Sequence, residues 1–82
     1  MDASTNEDKT LDMFVFGRRL RARRVYRDIT VENIADRMNA VGVDASTDTL
    51  YRIERGQQSP SLPQLYLLMQ ILDVPFDYFD ED

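Results

Sequence analysis

The chain has 82 residues, 43% of them hydrophobic, with no cysteine and no histidine. That is enough apolar material for one small core, and it excludes a disulfide framework, a thiolate or imidazole zinc site, and a nucleophile activated by imidazole. The net charge of -5 is unevenly spread: residues 14–66 carry nine arginines against six acids, residues 1–13 four acids against Lys9, and residues 67–82 five acids and no base. Local potential, not net charge, decides where a phosphate can sit, so the basic middle is the place for an anionic partner.

Residues 1–12 form a polar, acidic leader with no periodicity, expected to be flexible and unlike a signal peptide. No apolar run approaches the roughly 20 residues that span a bilayer, so a soluble, cytoplasmic protein without membrane contact is expected. The folded domain is placed at residues 13–80. From about residue 11 to 26 the pattern is helical, with Phe16, Leu20 and Arg24 spaced by four on one face. Arg18, Arg19, Arg21, Arg23 and Arg27 lie mostly off that face. A second helix starts after Thr30, a good N-cap. Ile29 and Ile34 flank the cap as a hydrophobic staple. Val31, Ile34, Ala35 and Met38 form the apolar stripe, and Gly42 is a C-terminal cap. The third helix starts near Ser46 and runs to Arg55, with Leu50 and Ile53 inward and Gly56 ending it. Ser61 and Gln64 form a capping box for a fourth helix carrying Leu62, Leu65, Leu68, Met69 and Leu72. Pro75 breaks it, and residues 76–80 form a short fifth helix. No segment alternates as a strand would.

Several stretches then resemble one family. Phe16-Gly17-Arg18-Arg19-Leu20-Arg21-Ala22-Arg23-Arg24 resembles the first helix of Cro- and repressor-type (Xre-type) helix-turn-helix domains. Ile29-Thr30 with Ile34-Ala35 resembles the start of the family's second helix, and Thr49-Leu50-Tyr51-Arg52-Ile53-Glu54-Arg55-Gly56 the end of its recognition helix. Ser59-Pro60-Ser61-Leu62, with Leu65, Leu68, Leu72 and Val74, resembles the fourth helix and its exit. The resemblance implies an all-α fold, a compact lambda-repressor-like bundle of about five short helices containing a helix-turn-helix. It implies sequence-specific binding of double-stranded DNA by a small transcriptional regulator of the repressor, antitoxin or restriction–modification controller type. Two departures stand out. Val31 occupies the position where the family usually has a polar residue that meets a phosphate. The linker between the second and third helices is longer by about five residues, around Asn39-Ala40-Val41-Gly42-Val43.

On this reading Thr47, Asp48, Tyr51 and Arg52 face base edges. Arg52 suits guanine, Thr47 a thymine methyl and Asp48 cytosine, while the competing role for Asp48, stabilising its own helix as a first-turn acid, is the stronger one. Arg18, Arg21, Arg37, Arg55, Gln57, Gln58 and Ser59 are the phosphate contacts, against the alternative of a solvated charged face and an ordinary loop. Periodicity puts Arg24 and Glu54 on apolar faces of the first and third helices. A lone buried charge costs several kcal/mol, so the two should pair; the family resemblance points to the same two positions. The apolar excess at residues 66–79 predicts a homodimer through Tyr66, Met69, Phe76 and Tyr78. The acids at the C-terminus lack the glycine and spacing of a calcium loop, no base–nucleophile constellation is visible, and no cofactor, metal or enzymatic activity is expected. The alternative is a protein-interaction module that kept the fold and lost DNA, with a protein partner instead.

Overall fold

A computed structural model describes residues 12–75. Four helices run through them: α1 (Met13–Tyr26), α2 (Val31–Ala40), α3 (Thr47–Glu54) and α4 (Leu62–Leu72). There is no strand among the described residues. The expected fifth helix and residues 1–11 of the leader lie outside the described residues.

Each helix starts where a short polar side chain can satisfy amides of the first turn. Asp12 accepts from the amides of Phe14 and Val15 at 2.9 and 3.4 Å, so α1 begins at Met13. Thr30 accepts from Asn33 at 3.0 Å and Ser46 from Thr49 at 3.1 Å. At α4 the capping box closes in both directions: the Gln64 amide donates to Ser61 Oγ, and the Ser61 amide donates to Gln64 Oε1 at 2.9 Å. The helices also end alike. In every case the chain turns through a left-handed residue, and the next amide reaches back to a carbonyl five residues earlier: Ile29 to Arg24, Val43 to Met38, Gln57 to Arg52 and Val74 to Met69. That is the Schellman arrangement. Glycine provides the turn after α2 and α3, whereas Asp28 (φ 58°) and Asp73 (φ 56°) do so after α1 and α4, at a steric cost glycine does not pay.

α3 is the hub. It packs against α1 on one side and α2 on the other, and α2 in turn packs against α4. The core is formed by Phe16 and Leu20 of α1, the whole predicted stripe of α2 (Val31, Ile34, Ala35, Met38), Leu50 and Ile53 of α3, Leu68 and Leu72 of α4, and Ala45 from the α2–α3 linker. Each large side chain here contributes about 1.5–3 kcal/mol, against an ordering cost of about 1–2 kcal/mol per residue. So small a core leaves much of the geometry to specific polar ties.

Leu62, one of the apolar residues that the fourth helix carries, is 78% exposed. It lies six residues before Leu68, off the stripe that the helical period extends backwards from Leu72 and Leu68 to Gln64. That polar residue is the buried one. Val31 is 1% exposed, inward as the stripe of the second helix predicts, which explains why an apolar residue suits the first position of α2.

Candidate nucleic-acid interface

The C-terminal end of α3 is held by close packing and charge. Gly17 of α1 lies directly over it: a Cβ on Gly17 would run into the backbone carbonyl oxygens of Glu54 and Ile53, the latter at 2.6 Å. Only glycine lets the two helices approach this closely. Two turns further along α1, Arg24 meets Glu54 in a bidentate pair, Nε to Oε2 at 2.6 Å and Nη2 to Oε1 at 3.1 Å, with the side chains 13% and 5% exposed. Arg24 Nη1 donates to the Ile29 carbonyl at 3.0 Å, tying the α1–α2 corner to the same point. The hydrogen bonds that Arg24 donates to the Glu54 carboxylate hold its guanidinium above its ordinary pKa, outweighing the burial that works against it. A raised pKa contributes stability that is present below the ordinary arginine value and is lost as the pH rises through the raised one.

The N-terminal end of α3 is held differently. Residues 41–46 separate α2 from α3, and two side-chain amides pin that long turn. Asn39 Nδ2 donates to the carbonyls of Ala35 and Ala45, both at 2.9 Å, while its Oδ1 accepts from the Ala45 amide at 3.3 Å. Gln64 Nε2, reaching from the cap of α4, donates to the Asp44 carbonyl at 3.0 Å. The two residues immediately before the Ser46 cap are thus bonded from both sides. Neither Asn39 nor Gln64 was read as a determinant of this turn. The available signals were an amide three residues before a left-handed glycine and a polar residue four before Leu68.

Locked on its inner face, α3 shows its outer face to solvent. Asp48, Tyr51, Arg52 and Arg55 are exposed and Thr47 is half-buried. Helical spacing puts Asp48, Tyr51, Arg52 and Arg55 on one side, opposite Leu50 and Ile53. Arg52 forms an ion pair with Asp48, Nη2 to Oδ2 at 3.0 Å, one turn apart. The helix is about 12 Å long at 1.5 Å per residue, comparable with the major groove's width of about 12 Å, which admits a helix.

Among the other arginines two kinds stand out. Arg23 and Arg27 reach the terminal carbonyls of α4. Arg23 Nε donates to Leu72 O at 3.0 Å and its Nη2 to Asp73 O at 3.2 Å; Arg27 Nη1 donates to Leu72 O at 3.1 Å, with the Asp73 carboxylate 3.8 Å away. Cations are favoured at a helix C-terminus, so these two are structural caps rather than part of a free basic face. Arg18, Arg21, Arg37 and Arg55 are exposed and make no ion pair among the described residues. Arg55 makes only a long contact to Gln57 Oε1 at 3.5 Å. A Cβ on Gly56 would lie 3.1 Å from Phe14 Cα, so the loop carrying Gln57, Gln58 and Ser59 starts beside the first turn of α1. Arg18 stands one turn further along α1.

On α4 the face away from the core carries Leu62 (78% exposed), Tyr66 (58%) and Gln70, whose Nε2 donates to Tyr66 Oη at 3.2 Å. Met69 is half-buried against the core. Phe76 and Tyr78, expected beside them, lie outside the described residues. Among the described residues no group of acids is placed to hold a metal ion, and no helix is long and apolar enough to cross a membrane.

A family model described as a helix-turn-helix domain matches residues 15–80. No curated protein and no solved structure matches the chain significantly.

Proposed function

The chain belongs to the helix-turn-helix family, of the Cro/repressor (Xre) kind, and from that premise we propose that it is a small, repressor-like transcriptional regulator that binds double-stranded DNA sequence-specifically in the cytoplasm. The observation that carries this reading is the asymmetry of α3. Its inner face is fixed by Gly17, the Arg24–Glu54 pair and the core, while its outer face presents Asp48, Tyr51 and Arg52 to solvent. That is the disposition a helix needs to enter a major groove at a defined angle. Thr47, Asp48, Tyr51 and Arg52 are the base-facing set. Arg18, Arg21, Arg37 and Arg55, with Gln57, Gln58 and Ser59, take phosphates on either side. Catalysis has no place in this scheme; domains of this family are binding units.

The protein acts as a homodimer. α4 has no charged residue along its length, and the exposed Leu62 and Tyr66 supply an apolar contact for a second copy; Met69, Phe76 and Tyr78 are the other residues proposed for it. Two reading helices then address half-sites about 34–36 Å apart. Sedimentation should show self-association; monomer only, at high concentration and with DNA present, overturns the dimer.

The full chain titrated onto random-sequence duplex DNA over a range of salt concentrations tests the DNA reading. Affinity should fall steeply with salt, with a slope of about -0.9 per phosphate contact. The competing reading, an interaction module that has left DNA, is favoured by one observation, the exposure of Phe14, Val25 and Tyr26 on α1 at 68%, 55% and 78%. It predicts no duplex binding even at low salt.

A further inference from the structure

The Asp48–Arg52 pair contributes little to the fold. Its side chains are 66% and 53% exposed, and such a solvated pair at (i, i+4) on a helix adds little to stability. Its effect on the reading face is larger. A free arginine loses rotamer entropy when it is fixed; here the ion pair already sets the guanidinium along the helix.

Hydrogen-bond inventory then says what the joined pair can recognise. A guanidinium has five N–H donors, and its Nη2 lies 3.0 Å from Asp48 Oδ2. With one Nη2 donor given to that carboxylate, four remain, one on Nε, two on Nη1 and one on Nη2, enough for the two acceptors of guanine, O6 and N7. Asp48 Oδ1 remains as an acceptor that cannot donate. In the major groove, only the exocyclic amines, cytosine N4 and adenine N6, can donate to it. A thymine O4 or guanine O6 in that place meets a carboxylate and is repelled, as is a phosphate that strays near.

On the DNA reading above, we propose that Asp48 is a positioning and discriminating residue of this interface: it orients Arg52 toward a guanine and restricts the neighbouring base to cytosine or adenine, lowering affinity for random sequence to raise selectivity. This differs from the plain helix-dipole role of a first-turn acid, which affects stability and leaves base preference alone.

The experiment is selection from a randomised duplex library with the full chain, followed by binding of the selected duplex, its single-base variants and a random-sequence duplex. It is run for the wild type, Asp48→Asn, Asp48→Ala, Arg52→Ala and the Asp48→Ala/Arg52→Ala double variant. Expected are a guanine preference at one base pair and an amine-bearing base beside it. Asp48→Ala and Asp48→Asn should weaken the guanine preference about five-fold or more, abolish the neighbour preference, and raise random-duplex affinity a few-fold, as discriminations of this kind span roughly 5- to 150-fold. In the Arg52→Ala background, Asp48→Ala should leave the residual guanine preference unchanged. If both Asp48 variants lower the thermal midpoint but keep both base preferences, Asp48 only serves its helix and the proposal is overturned, while the DNA reading stands. If the wild type binds no duplex at low salt, the DNA reading itself fails and takes this proposal with it.

Discussion

The two ends of α3 are held by different physics. At the C-terminal end, α1 comes so close that Gly17 has no room for a methyl group, and the near-dry Arg24–Glu54 pair closes the contact. At the N-terminal end there is no such packing. A long linker, with only Ala45 fully in the core, is pinned by neutral amides from Asn39 and Gln64. A buried ion pair is stringent about geometry, because either charge left alone is expensive. A neutral amide clamp is forgiving, because each lost bond is worth about 0.5–1.5 kcal/mol. The C-terminal end therefore sets the angle of α3, and the N-terminal end sets where its first turn begins.

Breaking the strict end should cost most. Arg24→Ala leaves the Glu54 carboxylate buried and unpaired and should destabilise the fold by roughly 3–5 kcal/mol, measured by urea unfolding. Glu54→Gln should cost less than Glu54→Ala, since the amide still accepts from Arg24. A double-mutant cycle over Arg24→Ala and Glu54→Ala should show strong coupling; simple additivity would mean the pair does not tie the helices together.

Next in size is Gly17→Ala. The new methyl meets backbone carbonyls, which cannot rotate away as a side chain could. Overpacking of this kind costs about 1–3 kcal/mol. If α3 yields instead, stability is kept but its angle changes, so duplex affinity should fall by more than the stability loss explains. An Ala variant with wild-type unfolding and wild-type DNA binding contradicts the close approach.

At the forgiving end, Asn39→Ala removes three hydrogen bonds and strands the Ala45 amide and carbonyl. A cost of about 1–3 kcal/mol is expected, with amide exchange rising at residues 41–46 while residues 50–54 stay protected. Protection lost uniformly through α3 would show that the two ends are not independent. The smallest effect belongs to Arg27→Ala. Its partner Asp73 is 85% exposed, and exposed pairs are worth about 0–1 kcal/mol; a larger loss in unfolding free energy would mean that the bond to Leu72 O carries more than a surface contact.

How much of this was legible in the sequence follows the same division. The Arg24–Glu54 assignment stood on periodicity, because charges on apolar stripes are conspicuous, and the structure brings the two side chains together. The caps at Thr30, Ser46 and Ser61 were readable, since a short hydroxyl before an apolar period has one main use. The Asn39 clamp was not, because an Asn near a helix end and a glycine reads as ordinary loop chemistry. Its partners sit six residues on, across a turn with no periodicity. Nor could local pattern show that Arg23 and Arg27 serve α4, whose Leu72 carbonyl lies 49 and 45 residues away in the chain. Nor does hydrophobicity alone separate the exposed Leu62 from the buried Leu68 and Leu72, whose side of the helix Gln64 shares.

Amide chemical-shift mapping of the labelled full chain, titrated with duplex DNA at low salt, tests the central claim most directly. The expected perturbations lie in the exposed face of α3 (residues 47, 48, 51, 52 and 55), the loop at 57–59 and α1 around Arg18 and Arg21, with the core residues Leu68 and Leu72 unmoved. Shifts centred on the outer face of α4 with α3 silent, or no shifts at all, would contradict the claim that α3 is held in place to read DNA.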